Sequence, residues 1–346
     1  MLPLQLLESL INFEGFDKEA FEKVHASGDQ ITTVRLNPLK NLKPQVFNNK
    51  IIQVPWTQSG FYLESRPSFT FDPLFHAGTY YVQEASSMFL EQALKQTGDL
   101  SKPIKVLDLC ASPGGKSTHI QSLISQESLL VSNDVIRSRA NVLKDNIIKW
   151  GCENVVVTNN DPKDFAKLEN YFDVIVVDAP CSGSGLFRRD PTAIEEWSEN
   201  NVQLCSQRQQ RILADVWPAL KKDGILIYST CSYSKEEDED IMDWITDNLP
   251  TSNVQLDIDD KWSITETTSI KENHGYRFWP DKVKGEGFFL SCFQKMDGEN
   301  DDIFRYKKKP EEATKNEMGM IEDWIEKDGF NFIKYKNTVY AWPESL

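Results

Sequence analysis

Short apolar runs alternate with helical patterns over residues 104–293, and this alternation restricts the fold of the chain more than any other feature. The runs are rich in β-branched residues and lie at residues 104–109, 129–132, 154–158, 173–177 and 225–228. Such runs are typical of strands that are buried on both faces of a parallel sheet. Between them, apolar residues recur at helical spacing, as at residues 136–147 and 202–220. The pattern predicts an α/β fold with a doubly wound sheet.

The regions on either side of this segment have different patterns. Residues 1–100 combine two helical patterns, at residues 4–13 and 18–26, with two strand-like runs, at residues 32–36 and 51–54, which predicts a small N-terminal α+β module. A polar stretch near residues 98–103 separates the module from the predicted α/β domain, which we place at residues 101–296. Residues 297–346 begin with an acidic linker and predict a short C-terminal appendix, with a helical run near Ile321 and a strand at residues 338–342.

Neither a membrane span nor a secretory signal is visible in the sequence. No stretch approaches the ~20 apolar residues that cross a bilayer, and residues 1–15 lack a basic start and a small-residue cleavage site. The six cysteines show no CxxC spacing and no cluster with histidine, so neither a zinc site nor a disulfide framework is expected. We therefore expect a cytoplasmic protein that binds no metal and no membrane.

The charge of the chain argues against a nucleic-acid partner. The net charge is −15 at pH 7, whereas proteins that bind nucleic-acid phosphates usually carry a basic balance. Net charge says little about local patches, however, so a basic groove can still form. Its candidate residues, each of which is as easily explained as solvated surface, are Arg35, Lys40, Arg188, Arg189, Arg208 and Arg211.

Ligands of open α/β sheets bind beyond the carboxyl ends of the strands, so the strand ends are where function is expected. After the first predicted strand, residues 110–116 read Cys-Ala-Ser-Pro-Gly-Gly-Lys. Gly114 and Gly115 allow the backbone to approach a ligand closely before a helix begins. A P-loop requires glycine where Cys110 stands, and a dinucleotide-binding GxGxxG is missing, which excludes those two classes of nucleotide site.

Acidic residues follow the second and third predicted strands. Asp134 stands where an acid accepts hydrogen bonds from ribose hydroxyls in nucleotide-binding sheets. Asp161 follows the third strand and is placed to bind an adenine amino group. Either acid alone is more often an ordinary loop residue, but their spacing in successive strand–helix units favours a site for an adenine nucleoside.

Two cysteines follow the fourth and fifth predicted strands. The fourth strand ends in Asp178-Ala-Pro-Cys181, and the fifth ends in Ser-Thr-Cys231. Because these strands are expected to be neighbours, both thiols are predicted to project into one cleft. A lone cysteine is usually inert and buried, and we expect that of the remaining thiols at positions 152, 205 and 292.

These strand-end motifs resemble the signatures of a known family. Residues 110–116, Asp178-Ala-Pro-Cys181 and Ser-Thr-Cys231 are similar to the motifs of the RNA cytosine-5 methyltransferases. Over residues 30–295 the chain resembles in particular the bacterial ribosomal small-subunit methyltransferase F group. The two-cysteine pattern is the specific part, since DNA cytosine methyltransferases use only the Pro-Cys cysteine as nucleophile. The resemblance implies a Rossmann-like methyltransferase domain with S-adenosylmethionine as cofactor.

The resemblance also implies roles for the strand-end residues. Cys231 is expected to attack carbon 6 of cytosine, Cys181 to assist release of the product, and Asp178 to hydrogen-bond N3 of the base. Lys116 is an electrostatic partner for these groups. The residues expected to contact the cofactor are Cys110, Ala111, Ser112, Pro113, Gly114, Gly115, Lys116, Asp134, Arg139, Asp161 and Asp178.

The implied substrate is RNA, with 16S rRNA or the 30S subunit expected to bind to a monomer of this protein. The N-terminal module at residues 1–100 is expected to take part in recognition of the RNA. The same chemistry on tRNA remains an alternative, because the motifs do not separate the two substrates. A non-catalytic RNA-binding or ribosome-assembly factor is a third hypothesis, which predicts loss of a reacting group, whereas Asp178, Cys181 and Cys231 are all present. The group carries a larger C-terminal RNA-binding region than about 50 residues can form, so we expect a natural short form or a truncated chain.

Two further segments carry predictions. Ser234 and Glu237 have the spacing of a capping box, which predicts that a helix begins there and runs through residue 244. Asp238 replaces the Asn of a Glu-Asn-Glu run in the family, and we expect that run to bear on the helix rather than on the chemistry. Phe187 and Trp197 are as readily explained by stacking on RNA as by burial in the core.

Overall fold

The computed structural model describes residues 2–40, 42–47, 51–298, 311–325 and 327–344, which form three sheets with surrounding helices. The first sheet has four antiparallel strands in the order β2-β3-β1-β4 and belongs to the N-terminal region. The elements of this region are α1 (Leu4–Leu10), α2 (Lys18–Ala26), β1 (Thr32–Leu36), β2 (Ile51–Gln53), β3 (Gly60–Leu63), α3 (Pro73–His76), β4 (Tyr80–Val82) and α4 (Leu90–Thr97).

The central sheet has nine strands and confirms the predicted doubly wound α/β fold. Five strands are parallel in the order β7-β6-β5-β8-β9, and β13, β12 and β11 extend the sheet antiparallel beyond β9, with β10 also paired to β13. The elements are β5 (Lys105–Asp108), α5 (Gly115–Gln121), β6 (Leu129–Asn133), α6 (Arg137–Trp150), β7 (Val155–Thr158), α7 (Pro162–Phe165), β8 (Phe172–Asp178), α8 (Thr192–Glu196), α9 (Glu199–Val216), β9 (Leu220–Thr230), α10 (Glu239–Asn248), β10 (Thr251–Val254), β11 (Thr265–Thr268), β12 (His274–Phe278) and β13 (Phe288–Lys295).

The strand order places a topological switch point in the middle of the sheet. The chain leaves β5 for β6 on one side and returns to β8 on the other, so β5 pairs in parallel with both. Loops diverge at such a point and leave a crevice beyond the carboxyl ends of the strands. All the predicted site motifs follow these strand ends, so the topology gathers them at one edge of the sheet.

Apolar packing on both faces holds the central sheet in place. On one face, Val54 and Trp56 of the N-terminal region share a buried cluster with Val106 of β5 and Ile227 of β9. On the other face, α9 and α10 bury apolar residues against the strands, including Ile212. The N-terminal region therefore packs directly on the central sheet. Among the described residues, no helix is both long and apolar enough to span a bilayer.

A third, small sheet forms at the C-terminal end. It is antiparallel, in the order β14-β15-β16, and consists of β14 (Glu311–Glu312), β15 (Phe330–Tyr335) and β16 (Thr338–Pro343), with α11 (Lys315–Ile321) beside it. The helix near Ile321 and the last strand confirm the sequence prediction, whereas β15 was not predicted. A cavity of about 1060 Å³ separates this sheet from the central one. Its apolar lining includes Leu129, Val131, Val156, Leu168, Phe332 and Trp342.

The predicted capping box at Ser234 is wrong. Residues Lys235–Glu237 form a 3-10 turn, Ser234 makes no side-chain cap, and α10 begins only at Glu239. The reason is that the Glu237 carboxylate points into the protein, where it accepts hydrogen bonds from Ser182 and Ser232. It is therefore not available to the backbone at the start of the helix. The acids in the first turn of α10 are Glu239 and Asp240.

Candidate active site

The two cysteines after β8 and β9 lie in contact with each other. These strands are parallel neighbours with Asp178 opposite Ser229, which brings the two following loops together. The Sγ atoms of Cys181 and Cys231 are 3.1 Å apart. Both residues are half-buried at the carboxyl edge of the sheet. The juxtaposition predicted from the sequence is thus present in the fold.

The two thiols have different electrostatic environments. The hydrogen bond to Cys231, followed by burial, raises the pKa of the Cys181 thiol well above its ordinary value of 9.0, and the charge of Glu237 acts in the same direction. Cys181 therefore keeps its proton. A protonated Cys181 can donate its hydrogen to the Cys231 sulfur, which is the arrangement expected if Cys231 reacts as the thiolate.

Asp178 and Lys116 form an ion pair beside the cysteines. Lys116 Nζ lies 2.8 Å from Asp178 Oδ2, and Ser229 Oγ donates a hydrogen bond of 2.9 Å to Asp178 Oδ1. The lysine ammonium also lies 5.0 Å from the centre of the Phe288 ring. Burial alone would favour the neutral amine, but the Asp178 carboxylate outweighs it and raises the pKa of Lys116. Lys116 is therefore charged, and the ion pair fixes the direction of the Asp178 side chain.

The glycine-containing loop connects β5 to α5. Gly114 has a φ of 112°, a backbone conformation that side chains other than glycine rarely adopt, and a Cβ there would lie 3.2 Å from Leu143 Cδ1. The loop is held by α6, because Arg139 donates to Ser112 O and Asn146 donates to Pro113 O. Burial raises the pKa of the Cys110 thiol, so Cys110 contributes shape rather than reactivity.

The acids after β6 and β7 are already engaged with the protein. Asp134 is 3% exposed, accepts a hydrogen bond of 2.9 Å from Ile136 N, and lies 3.2 Å from Arg139 Nε. Asp161 caps α7 through a hydrogen bond of 3.3 Å from Lys163 N, and Arg211 lies 3.9 Å from its other oxygen. A carboxylate oxygen has two lone pairs, so each acid retains the capacity to accept a further hydrogen bond.

Three residues at this edge of the sheet were missed by the sequence analysis. Val135 and Ile136 are 55% and 48% exposed directly after Asp134, which leaves an apolar surface beside the two acids. Asp108 at the end of β5 is fully buried, and burial raises its pKa from 3.8 to about 7. The sequence did contain signals for these residues. Val135 and Ile136 are two apolar residues directly after a strand-end acid, and Asp108 is an acid at the end of an apolar strand.

These groups fit an adenine nucleoside that carries an amino acid. The exposed side chains of Val135 and Ile136 offer an apolar surface to a purine, and Asp134 directly before them can accept from hydroxyl groups. Asp108 accepts a hydrogen bond of 2.6 Å from Ser117 Oγ through one oxygen, while the other is buried without a partner. A buried acceptor of this kind is costly unless something donates to it. S-adenosylmethionine has the matching donors.

The predicted basic groove is wrong for two of its six members. Arg35 is 0% exposed and donates to Gln83 and Thr118, while the Arg188 side chain is 4% exposed and donates to backbone oxygens. Both residues tie loops together inside the protein and do not face solvent. The three exposed members are Arg189, Arg208 and Arg211, and Lys40 is half-buried with its ammonium on the Ala77 and Lys149 carbonyl oxygens.

The aromatic residues after the Pro-Cys motif belong to the core. Phe187 is 3% exposed and packs with residues of α1, α2 and Trp279, and Trp197 packs against the same cluster. Stacking of Phe187 on RNA is therefore contradicted. Among the residues that the structure describes, no three His, Cys, Asp or Glu side chains are grouped as metal ligands.

The sheet order and the motifs at its carboxyl edge define a Rossmann-like methyltransferase fold. Among solved structures, a methyltransferase homolog protein from Pyrococcus horikoshii is 27% identical and aligns with a TM-score of 0.68, covering 85% of this chain and 100% of that chain. The chain also matches two family models. Residues 96–294 match the model described as 16S rRNA methyltransferase RsmB/F, and residues 2–85 match the N-terminal domain of 16S rRNA methyltransferase RsmF.

The chain belongs to the RsmB/F family of 16S rRNA methyltransferases. A protein of Psychromonas ingrahamii named ribosomal RNA small subunit methyltransferase F is 34% identical over 274 residues, which are 76% of this chain and 56% of that protein. The protein of the same name from Pectobacterium atrosepticum is 34% identical over 258 residues, or 72% and 52% of the two chains. The chain thus spans about half the length of the curated relatives it matches.

Proposed function

We propose that this chain is an S-adenosylmethionine-dependent RNA methyltransferase that methylates carbon 5 of a cytosine in 16S rRNA. The observation that carries the proposal is the 3.1 Å contact between Cys181 and Cys231 beside the Asp178–Lys116 ion pair. Two thiols in contact are not needed by methyltransferases that act on exocyclic amines. Membership of the RsmB/F family supports the same chemistry.

Carbon 5 of cytosine is a poor nucleophile because the ring is aromatic. The Cys231 thiolate is proposed to form a bond to carbon 6, which moves the electrons of the C5–C6 double bond into the ring and makes carbon 5 nucleophilic. Asp178 stabilises this adduct as a protonated carboxyl that donates a hydrogen bond to N3, where negative charge develops, and Lys116 holds the Asp178 side chain in direction from 2.8 Å away. When bound, S-adenosylmethionine supplies the methyl group.

Product release requires two bonds to break. A base removes the proton from carbon 5, the C5–C6 double bond forms again, and the sulfur of Cys231 leaves carbon 6 with the electron pair of that bond. Cys181 Sγ lies 3.1 Å from the leaving sulfur, and its raised pKa keeps a proton available there. A hydrogen bond from Cys181 stabilises the departing thiolate and so assists release.

The cofactor is proposed to lie along the carboxyl edge of β5, β6 and β7. The residues that would hold it are those of the loop at 110–116, together with Asp134, Arg139, Asp161 and Asp178. Val135 and Ile136 would cover the adenine, and the unpaired oxygen of Asp108 would accept from an amino group.

The substrate class is proposed from the names of the relatives, which are small-subunit rRNA methyltransferases. A cytosine inside a helix does not reach a thiol at the edge of the sheet, so the target base must be unpaired or flipped out of its stack. The protein is proposed to act as a monomer, on 16S rRNA or on the 30S subunit. The same chemistry on tRNA differs only in the RNA that is recognised.

The test is to trap the covalent adduct. The Cys181→Ala protein is incubated with S-adenosylmethionine and 30S rRNA and run on a denaturing gel. A protein–RNA band should accumulate, because the adduct forms through Cys231 and is not released. The band should be absent from the Cys181→Ala, Cys231→Ala double variant. Cys205→Ala, which changes a buried thiol outside the pair, is the matched control and should behave as wild type.

Each outcome of the gel bears on a different part of the proposal. A band with tRNA but not with 30S rRNA would keep the chemistry and overturn the substrate. A band that survives in the double variant would overturn Cys231 as the nucleophile. No band with either RNA, while the protein still binds S-adenosylmethionine, would overturn the cysteine roles.

A further inference from the structure

One buried carboxylate connects the loops that carry the two cysteines. Glu237 is 0% exposed. Its Oε1 accepts a hydrogen bond of 2.7 Å from Ser182 N. Its Oε2 accepts hydrogen bonds of 2.6 Å from both Ser182 Oγ and Ser232 Oγ. The carboxylate thus lies between two loops that are otherwise about 50 residues apart in the chain.

The residues held by Glu237 directly follow the reactive cysteines. Ser182 follows Cys181, and Ser232 follows Cys231. A fourth group extends the connection, because Gln209 Nε2 of α9 lies 3.4 Å from Glu237 Oε1 and donates 3.1 Å to Pro180 O. The residues on both sides of Cys181 are therefore fixed by the same network.

Among three consecutive buried acids, only Glu237 contacts both loops in the described structure. The next acid, Asp238, accepts from Thr230 Oγ1 at 2.6 Å. Glu239 pairs with Arg277, whose Nε lies 2.6 Å from its Oε1. These two hold α10 to the sheet, so the position of Glu237 is not explained by anchoring of the helix alone.

We propose that Glu237 is a positioning residue that sets the separation of the two cysteine sulfurs by holding Ser182 and Ser232. Burying a carboxylate is costly, and an apolar contact would hold the loops together with less penalty. Charge-assisted hydrogen bonds are directional, however, and three of them fix both loops from a single side chain. The positioning of the two sulfurs by Glu237 does not depend on the proposed function. Only its consequence, that release of the product depends on Glu237, rests on that function.

The spacing itself can be measured without any RNA. Diamide oxidises two adjacent thiols to a disulfide, taking up both electrons and both protons, and the rate depends on how often the two sulfurs meet. The full chain is treated with diamide, and the Cys181–Cys231 disulfide is quantified over time by mass spectrometry of its peptides. The variants are Glu237→Gln and Glu237→Ala, and Glu236→Gln is the control, with the same charge change one residue away.

The control should form the disulfide at the wild-type rate. Glu237→Gln, which weakens charge-assisted hydrogen bonds, should slow it by about tenfold, and Glu237→Ala should slow it further. Thermal unfolding of each variant identifies any that does not fold. If a Glu237 variant does not fold, the Ser182→Ala, Ser232→Ala double variant is tested in its place, because it keeps the carboxylate. This double variant should also form the disulfide more slowly than wild type. Folded variants that react at the wild-type rate would overturn the proposal.

The methylation assay separates positioning from a purely structural role. If Glu237 positions the cysteines, kcat should fall in Glu237→Gln while KM for RNA and affinity for S-adenosylmethionine stay unchanged. An equal loss of cofactor affinity would indicate general damage to the site and overturn the positioning role. Slower disulfide formation together with no methylation by the wild type would leave the positioning role intact and overturn the proposed function instead.

Discussion

The acids of the site illustrate how one side-chain type takes on different properties over a few ångströms. Asp178 is paired with Lys116, whereas Asp134 is paired with Arg139. Asp108 forms no salt bridge with any of the described residues, and it accepts a hydrogen bond from the neutral Ser117 hydroxyl. Burial therefore dominates at Asp108 and raises its pKa to about 7. The free energy of ionising each acid is set by its partners, not by its residue type.

Ionisation of Asp108 should make the folded protein less stable as the pH rises. Its pKa is raised from 3.8 to about 7 in the fold, so the stability difference grows between about pH 4 and pH 7 and is constant above that range. Asp108→Asn cannot ionise. The free energy of unfolding of this variant minus that of wild type should be about 2 to 3 kcal/mol more positive at pH 8 than at pH 5, because only the wild type is destabilised by ionisation. Urea denaturation at both pH values measures this.

The matched control is Asp145→Asn on the exposed face of α6. This variant should show the same stability difference from wild type at pH 5 and pH 8. If Asp108→Asn behaves like the control, Asp108 ionises in the folded chain as it does in water, and its burial has no electrostatic consequence.

Between elements, one buried arginine joins the N-terminal sheet to the cofactor side of the central sheet. Arg35 on β1 donates 2.8 Å to Gln83 Oε1 and 2.6 Å to Thr118 Oγ1 of α5. Its guanidinium also lies 4.6 Å from the centre of the Trp150 ring at the end of α6. Burial lowers the pKa of Arg35 to about 9, which still leaves it charged at pH 7. It therefore fixes α5 relative to β1.

Arg35→Ala should destabilise the chain by about 3 kcal/mol, because it leaves buried acceptors without donors and creates a cavity. It should also weaken binding of S-adenosylmethionine, since α5 follows the glycine-containing loop. Arg208→Ala, on the exposed face of α9, should change stability by less than about 0.5 kcal/mol. Denaturation and calorimetric titration measure the two effects. Equal effects of both variants would place Arg35 at the surface in solution.

Helices and strands differ in how well the sequence predicted their ends. β1 and α2 begin and end where the pattern indicates, because their apolar residues are local signals. The start of α10 was predicted five residues too early, at Ser234 rather than Glu239. Ser234 and Glu237 satisfy the local rule for a capping box, but Glu237 is satisfied by residues from two distant loops. A pattern of neighbouring residues does not indicate that a side chain will bind residues that are distant in the sequence.

Over the whole molecule, the C-terminal sheet is attached less closely than the N-terminal region. The N-terminal region shares a buried cluster with the central strands. The C-terminal sheet faces β6 and β7 across a cavity of about 1060 Å³, and Trp324 beside it is 88% exposed. The cavity lies away from the two cysteines, so neither the sheet nor the cavity is expected to contribute to the chemistry.

Removal of residues 297–346 should leave the remaining chain folded. β13 ends at Lys295, so the central sheet is complete without the deleted residues. The midpoint of thermal unfolding should change by no more than about 4 °C, which corresponds to about 1 kcal/mol for a chain of this size. Affinity for S-adenosylmethionine should be unchanged by titration. A shortened chain that unfolds or loses the cofactor would show that the C-terminal sheet is part of the core.

The sequence by itself determined the five parallel strands of the central sheet and the motifs at their ends. Both are local: β-branched runs predict buried strands, and Asp178, Cys181 and Cys231 follow directly from those runs. Only the tertiary structure decided that Glu237 joins the two cysteine loops and that Arg35 lies inside the protein. Glu237 is 55 residues from Ser182, and Arg35 is 83 residues from Thr118. The burial and partners of a polar side chain depend on segments that only folding brings together, and the local sequence does not encode them.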